Sequence, residues 1–120
     1  MKKNLFKKML IAAVASTMGY AYAFPNGPIT VVVGYGAGGG TDTVVRSLAK
    51  PLGDALGVTV LVQNAPGAGG GVAASKVASA AADGHTIVAT TSSTFSLEPQ
   101  AMKTAYNNAD FVHVATISQF

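Results

Sequence analysis

The 120-residue chain contains no cysteine and no tryptophan. Without thiols it can form no disulfide, bind no metal through sulfur and carry no lipid on a cysteine after export. Charge is scarce too, at 11% of residues against the ~25% usual in globular domains. The formal net charge of +3 suggests a basic protein, but Lys2, Lys3, Lys7 and Lys8 supply half of the eight basic side chains. From Phe24 onward only Arg46, Lys50, Lys76 and Lys103 stand against Asp42, Asp54, Asp83, Glu98 and Asp110. That balance excludes the basic footprint of a nucleic-acid binder.

The amino terminus has the pattern of an export signal. Four lysines precede the apolar run Met9 to Tyr20 and the small-x-small triplet Ala21, Tyr22, Ala23. This is the order of a secretory signal peptide cleaved after Ala23. The apolar run is shorter than the ~20 residues a membrane-spanning helix needs. Residues 1–23 are therefore expected to be a signal peptide and 24–120 one small soluble domain.

Turn residues and β-branched runs alternate along the rest of the chain. Ile29 to Val33 reads as a buried strand, followed by glycines at 34, 36, 38, 39 and 40. Val44, Val45, Leu48, Ala49, Leu52 and Leu56 recur at helical spacing, with Thr41 or Asp42 as the expected cap, and Gly57 ends that helix. Pro51 lies inside it and predicts a kink near Ser47. Val58 to Asn64 reads as a second strand, Val72 to Ala82 as an alanine-rich helix and Thr86 to Thr90 as a third strand. Leu97 to Ala105 reads as a weak helix interrupted by Pro99, and Phe111 to Ile117 as a fourth strand. The order βαβαβαβ predicts a mostly parallel sheet with helices on both faces and right-handed crossovers.

Ligands of such sheets bind beyond the carboxyl ends of the strands. The glycine loop 34 to 42, the glycine loop 65 to 71 and the hydroxyl cluster Thr90 to Thr94 all fall at predicted strand ends. Backbone N–H groups in glycine turns at a helix start hold an anion without a basic side chain, which suits a carboxylate. Gly34, Gly36 and Gly39 satisfy the G-x-G-x-x-G pattern, but so does any loop with this many glycines, and no acid ends the second strand to meet a ribose. A phosphate-gripping Walker loop is absent because no Gly-Lys-Ser/Thr occurs. Asp42 reads either as an acid favoured by the helix dipole or as a residue that orders the loop toward a ligand. Arg46, one turn later, is expected to pair with it. His85 and His113 have no second ligand at metal spacing, so neither a metal nor a cofactor is expected.

These residues resemble the substrate-binding proteins of tripartite tricarboxylate transporters, also called Bug receptors. The resemblance runs from Phe24-Pro25 and Pro28-Ile29 through Val31-Val32-Val33, Ala37-Gly38-Gly39-Gly40-Thr41-Asp42 and Arg46. It continues in Gln63-Asn64-x-Pro66-Gly67-Ala68-Gly69-Gly70, Ala82-Asp83-Gly84-x-Thr86, Thr91-Ser92, Pro99, Tyr106 and Asp110-Phe111. It implies a periplasmic, monomeric receptor of two α/β lobes that closes on a small carboxylate and delivers it to a membrane transporter. This chain would be the first lobe of that fold, with the second lobe absent. Carried over, the ligand site comprises Ala37, Gly38, Gly39, Thr41 and Asp42, then Gly67, Ala68, Gly69 and Gly70, then Thr91, Ser92 and Ser93. Gly34 stands where the family commonly has proline, and Pro51 interrupts a helix it usually keeps regular.

Two other readings are open at this point. In one, an exported hydrolase uses the glycine-loop amides as an oxyanion hole and Ser92 or Ser93 as nucleophile. In the other, the chain is a truncated product that does not fold stably. For the receptor reading, Gly39→Val is expected to change ligand affinity by removing φ freedom and close backbone approach.

Overall fold

Residues 23–117 are described in the computed structural model; all but the last residue of the expected signal peptide lies outside them, as do residues 118–120. Three parallel strands form a sheet in the order β2-β1-β3, where β1 is Ile29–Val33, β2 is Val60–Asn64 and β3 is Thr86–Ala89. The β-branched run of β1 takes the central place, where both of its faces are covered. Val32 and Val33 are fully buried, and Ile29 and Val31 nearly so.

The two faces of β1 receive different helices. Helix α1, Gly40–Leu56, packs Val45 against Val31 and Val33, with Val60, Val62, Ile87 and Ala89 around them. Val32 points the other way, in register with Gln63 and Val88. Helix α2, Gly71–Ala78, covers that face: its Lys76 Nζ donates to Gln63 Oε1 at 3.1 Å, and Ala73 and Ala74 are wholly buried. The chain thus steps from β1 outward to β2, then back across β1 to β3, and opposite steps with right-handed crossovers put the helices on opposite faces. This is the α/β architecture expected from the alternation of elements.

Several local expectations are corrected. Neither Thr41 nor Asp42 caps α1; the cap is Gly39, in an extended conformation without a side-chain bond. Gly38, left-handed at φ +81°, turns the chain into the helix early, so Asp42 falls in the third helical position and reaches back instead. Helix α1 runs as one helix from Gly40 to Leu56 with Pro51 inside it. Both Pro51 and Ser47 are exposed, so the carbonyl deprived of its amide partner is open to water. Gly57 at φ +70° ends the helix with its N–H on the Gly53 carbonyl.

After β3 a one-turn helix, α3 (Ser93–Ser96), forms where no helix was predicted, and the helix predicted over Leu97 to Ala105 shortens to one turn, α4 (Glu98–Ala101). Pro99 sits in the first turn of α4, where its missing N–H has no helical partner to lose. The fourth strand does not form. Residues 111–117 pair with no described strand, and Val112 and Val114 are 90% and 81% exposed. A β-branched sequence favours extended backbone, but a strand exists only where a neighbour takes its N–H and C=O groups. What fastens this end is an aromatic cluster: Phe111 meets Phe95 edge-on at 5.0 Å and Tyr106 at 6.0 Å.

Candidate functional site

The loops that leave β1, β2 and β3 meet at the carboxyl end of the sheet. The first two touch through backbone: a Cβ on buried Gly34 would lie 2.9 Å from Gly70 Cα and 3.0 Å from Thr90 Oγ1. Only glycine permits that approach. The second loop is a left-handed turn, with Ala68, Gly69 and Gly70 at φ 46°, 55° and 97°, leading straight into α2. Ala68 is a non-glycine residue in a region that costs ~1–2 kcal/mol for an L-residue, so the turn is held by its surroundings. Gly70 N–H closes it onto Gly67 O at 3.0 Å.

A polar network shapes the first loop. Asp42 is 2% exposed, and its Oδ2 accepts from Gly38 N–H at 2.8 Å and from Arg46 Nε at 2.9 Å. Its Oδ1 accepts from Asn64 Nδ2 at 2.8 Å. Asn64, the last residue of β2, also donates to the Tyr35 carbonyl at 3.0 Å and accepts from Arg46 Nη2 at 2.9 Å. The Arg46 hydrogen bond, with help from the Gly38 amide and Asn64, holds the Asp42 carboxyl far below the usual carboxylate range despite its burial.

Hydroxyl groups join the loops. Tyr35 Oη lies 2.6 Å from Thr91 Oγ1 and 3.2 Å from the Gly69 carbonyl, so one ring bridges all three. Thr94 Oγ1 donates to Gly69 O at 2.6 Å and lies 2.6 Å from Thr90 Oγ1, while Thr91 and Ser93 are 2.7 Å apart. Thr94 is fully buried, and the buried Tyr106 hydroxyl donates to its carbonyl. Partial burial raises the Tyr35 pKa, but its contacts with Thr91, Thr90, Thr94 and Ser93 more than reverse this and leave it below the ordinary phenol value.

The candidate residues therefore play unequal parts. Among the described residues the amides of Ala37, Gly40 and Thr41 in the first loop, and of Ala68 and Gly69 in the second, have no hydrogen-bond partner; nor has the Ser92 hydroxyl. These are the groups free to meet a ligand. Asp42 is enclosed, with both oxygens engaged. Gly67 and Gly70 carry backbone shape, at φ +135° and +97°. Gly39 does not match the argument for Gly39→Val from φ, because its φ is −72°, open to any residue, and a Cβ there would meet only Gly36 O at 3.1 Å. Gly38 is the left-handed position of this loop.

Tyr35 escaped the sequence reading of the site; its only signal was an aromatic residue set between Gly34 and Gly36. Asn64 was read as a strand end, and nothing local indicates that it ties two loops. Neither Ser92 nor Ser93 hydrogen-bonds a histidine or a carboxylate among the described residues, so no general base activates them there. An open trough of 1170 Å³ between α1, the edge strand β2 and Pro25–Pro28 is lined by none of the residues of the three loops, though Arg46 of α1 is among its walls.

Similar proteins share this piece of structure. A UPF0065 protein of Bordetella pertussis is 37% identical over 90 residues, which is 75% of this chain and 28% of that protein. Protein BugT of the same species is 44% identical over 73 residues, 61% of this chain and 22% of its own. A solved periplasmic transporter superposes with a TM-score of 0.66 at 34% identity, over 71% of this chain and 29% of its own. MatC of Rhodopseudomonas palustris with bound malate gives 0.52 at 46% identity, and Rpa4515 of R. palustris with adipate gives 0.52 at 37%; each match covers 54% of this chain and 22% of the other. The chain spans less than a third of the length of these relatives. Residues 44–120 match the pattern of the tripartite tricarboxylate transporter family receptors, and the chain belongs to that family.

Proposed function

We propose that residues 24–120 are the first lobe of a periplasmic receptor that captures a small carboxylate and passes it, chemically unchanged, to a membrane transporter of the tripartite tricarboxylate type. The observation that carries this reading is the meeting of three strand-end loops that offer unpartnered amides and, among the described residues, the unpartnered Ser92 hydroxyl. Arg46, the basic side chain of α1 that reaches the first loop, is engaged by Asp42 and Asn64. Recognition of an anion then falls to backbone N–H groups at the start of α1 and in the Ala68–Gly70 turn. Ala37, Gly38, Gly39, Thr41, Gly67, Ala68, Gly69, Gly70, Thr91, Ser92 and Ser93 line or shape the site, and Asp42 fixes the first loop from beneath. The malate bound to MatC and the adipate with Rpa4515, two similar proteins, support a carboxylate as the ligand class.

Calorimetric titration of the full-length protein with malate and adipate tests the reading. One-to-one saturable binding, with the ligand recovered intact, is expected. Absence of saturable binding by any carboxylate overturns it, as does ester turnover that disappears in Ser92→Ala.

A further inference from the structure

The hydroxyls of the loop cluster meet one another and one carbonyl, and each has a single proton to give. Gly69 O can only accept, and its two lone pairs take Thr94 Oγ1 at 2.6 Å and Tyr35 Oη at 3.2 Å. Both of those protons are thereby committed. Thr90 must then donate across its 2.6 Å contact with Thr94, and Thr91 across its 2.6 Å contact with Tyr35. With the Thr91 proton on the phenol oxygen, Ser93 donates to Thr91 over 2.7 Å. No other assignment puts a proton in every contact. All of them run inward to Gly69 O, from Ser93 through Thr91 and Tyr35, and from Thr90 through Thr94. Ser93, half-buried at the open end, keeps only lone pairs to show. A second acceptor stands at the same turn: Glu98 Oε1 fills the place a Cβ on Gly69 would need, and its carboxylate pairs with no cation among the described residues.

We propose that the site selects a carboxylate carrying its own hydrogen-bond donor, a hydroxyl or ammonium group, which Ser93 Oγ accepts, with Tyr35 as the positioning residue that turns the hydroxyls inward. The inference rests on the carboxylate-receptor reading and adds which members of that class are preferred and what enforces the preference. An anionic oxygen set against Ser93 would face lone pairs, so the ligand carboxylate belongs to the backbone amides and to Ser92. A donor on the ligand instead meets an oxygen made a better acceptor by its own donation to Thr91. Reversing the chain to serve an anion would strip Gly69 O of the Tyr35 proton.

Calorimetry on the full-length protein with malate and succinate, which differ by one hydroxyl, tests this, and the readout is the ratio of their affinities. Malate is expected to bind about 3- to 10-fold more tightly, the net worth of one neutral hydrogen bond. Ser93→Ala removes the acceptor, and the ratio should fall to near unity. Tyr35→Phe frees the Thr91 proton for Ser93 and the Ser93 proton for an anion. Malate should then lose about two- to fivefold, because only part of the population still shows the Ser93 lone pairs, while succinate loses less or gains. A tyrosine that merely held the loops in place would weaken both ligands equally. An unchanged ratio in either variant therefore overturns the inference, as does any carboxylate that binds the unaltered protein as tightly without a hydroxyl or ammonium group as its counterpart does with one. If the unaltered protein binds no carboxylate of either kind, the receptor reading fails and takes this inference with it; binding without the preference sinks the inference alone.

Discussion

Asn64 Nδ2 sits between Asp42 Oδ1 at 2.8 Å and the Tyr35 carbonyl at 3.0 Å, so the end of β2 holds both ends of the loop that leaves β1. The same side chain accepts from Arg46 on its oxygen side. An amide is suited to this place, because it offers donors to two acceptors and an acceptor to a cation.

Asn64→Leu should therefore destabilise the protein by about 1–3 kcal/mol, the usual cost of leaving partly buried polar groups without partners. It should also weaken malate binding, because the first loop loses its anchor. Urea unfolding and calorimetry on the same variant check the two effects, and unchanged stability would mean that water replaces the amide fully.

The Asp42 carboxyl gives stability a defined pH dependence. Its folded-state pKa is depressed below the unfolded value of 3.8, so its contribution is complete well above that value and is lost as pH falls through it toward the folded pKa. Denaturation midpoints of the native protein should drop as acid is added below about pH 4. In Asp42→Asn that part of the decline should be missing, and the variant should be less stable at neutral pH. A parallel pair of acid profiles would refute the assignment.

Gly70→Ala brings strain and collision together. Its φ is +97°, and a Cβ would lie 2.3 Å from Thr90 Oγ1 and 2.6 Å from Thr94 Oγ1. The left-handed conformation alone costs ~1–2 kcal/mol and overpacking ~1–3 kcal/mol more. A loss of about 3 kcal/mol in denaturant titration is expected, with ligand affinity falling because the Ala68 and Gly69 amides move.

Tyr106→Phe tests the support behind the hydroxyls. The buried Tyr106 hydroxyl donates to the Thr94 carbonyl, and burial together with the nearby Glu98 charge raises its pKa. Removing it should cost ~1 kcal/mol of stability, the typical net worth of such a bond. Malate affinity should change by less than in Tyr35→Phe, since the ring still packs edge-on against Phe95 and Phe111.

The strands and the two long helices could be read from local pattern because each carries its own signal. β-Branched runs marked β1, β2 and β3, alanine marked α2, and apolar spacing marked α1. The three loops were legible as strand ends for the same reason. What stayed hidden depends on partners distant in the chain. Phe111 to Ile117 has the composition of a strand, but composition cannot supply the neighbour that makes one. Asn64 and Tyr35 matter because of where two other loops come to rest, and no spacing within either segment records that. The misplaced cap has a more local cause: Thr41 and Asp42 have good capping side chains, yet the left-handed Gly38 started the helix before them.

Tyr35 and Thr91 are 56 residues apart in sequence and 2.6 Å apart in space. The contact closes a long span of chain, and such closures carry an entropy cost that local helices and turns avoid. During folding the candidate site cannot exist until β3 and the turn after it have docked beside β1. In the proposed receptor, ligand binding is thus a report that this part of the chain has finished folding, and a chain ending before Thr91 is silent to it however well its first two strands have paired.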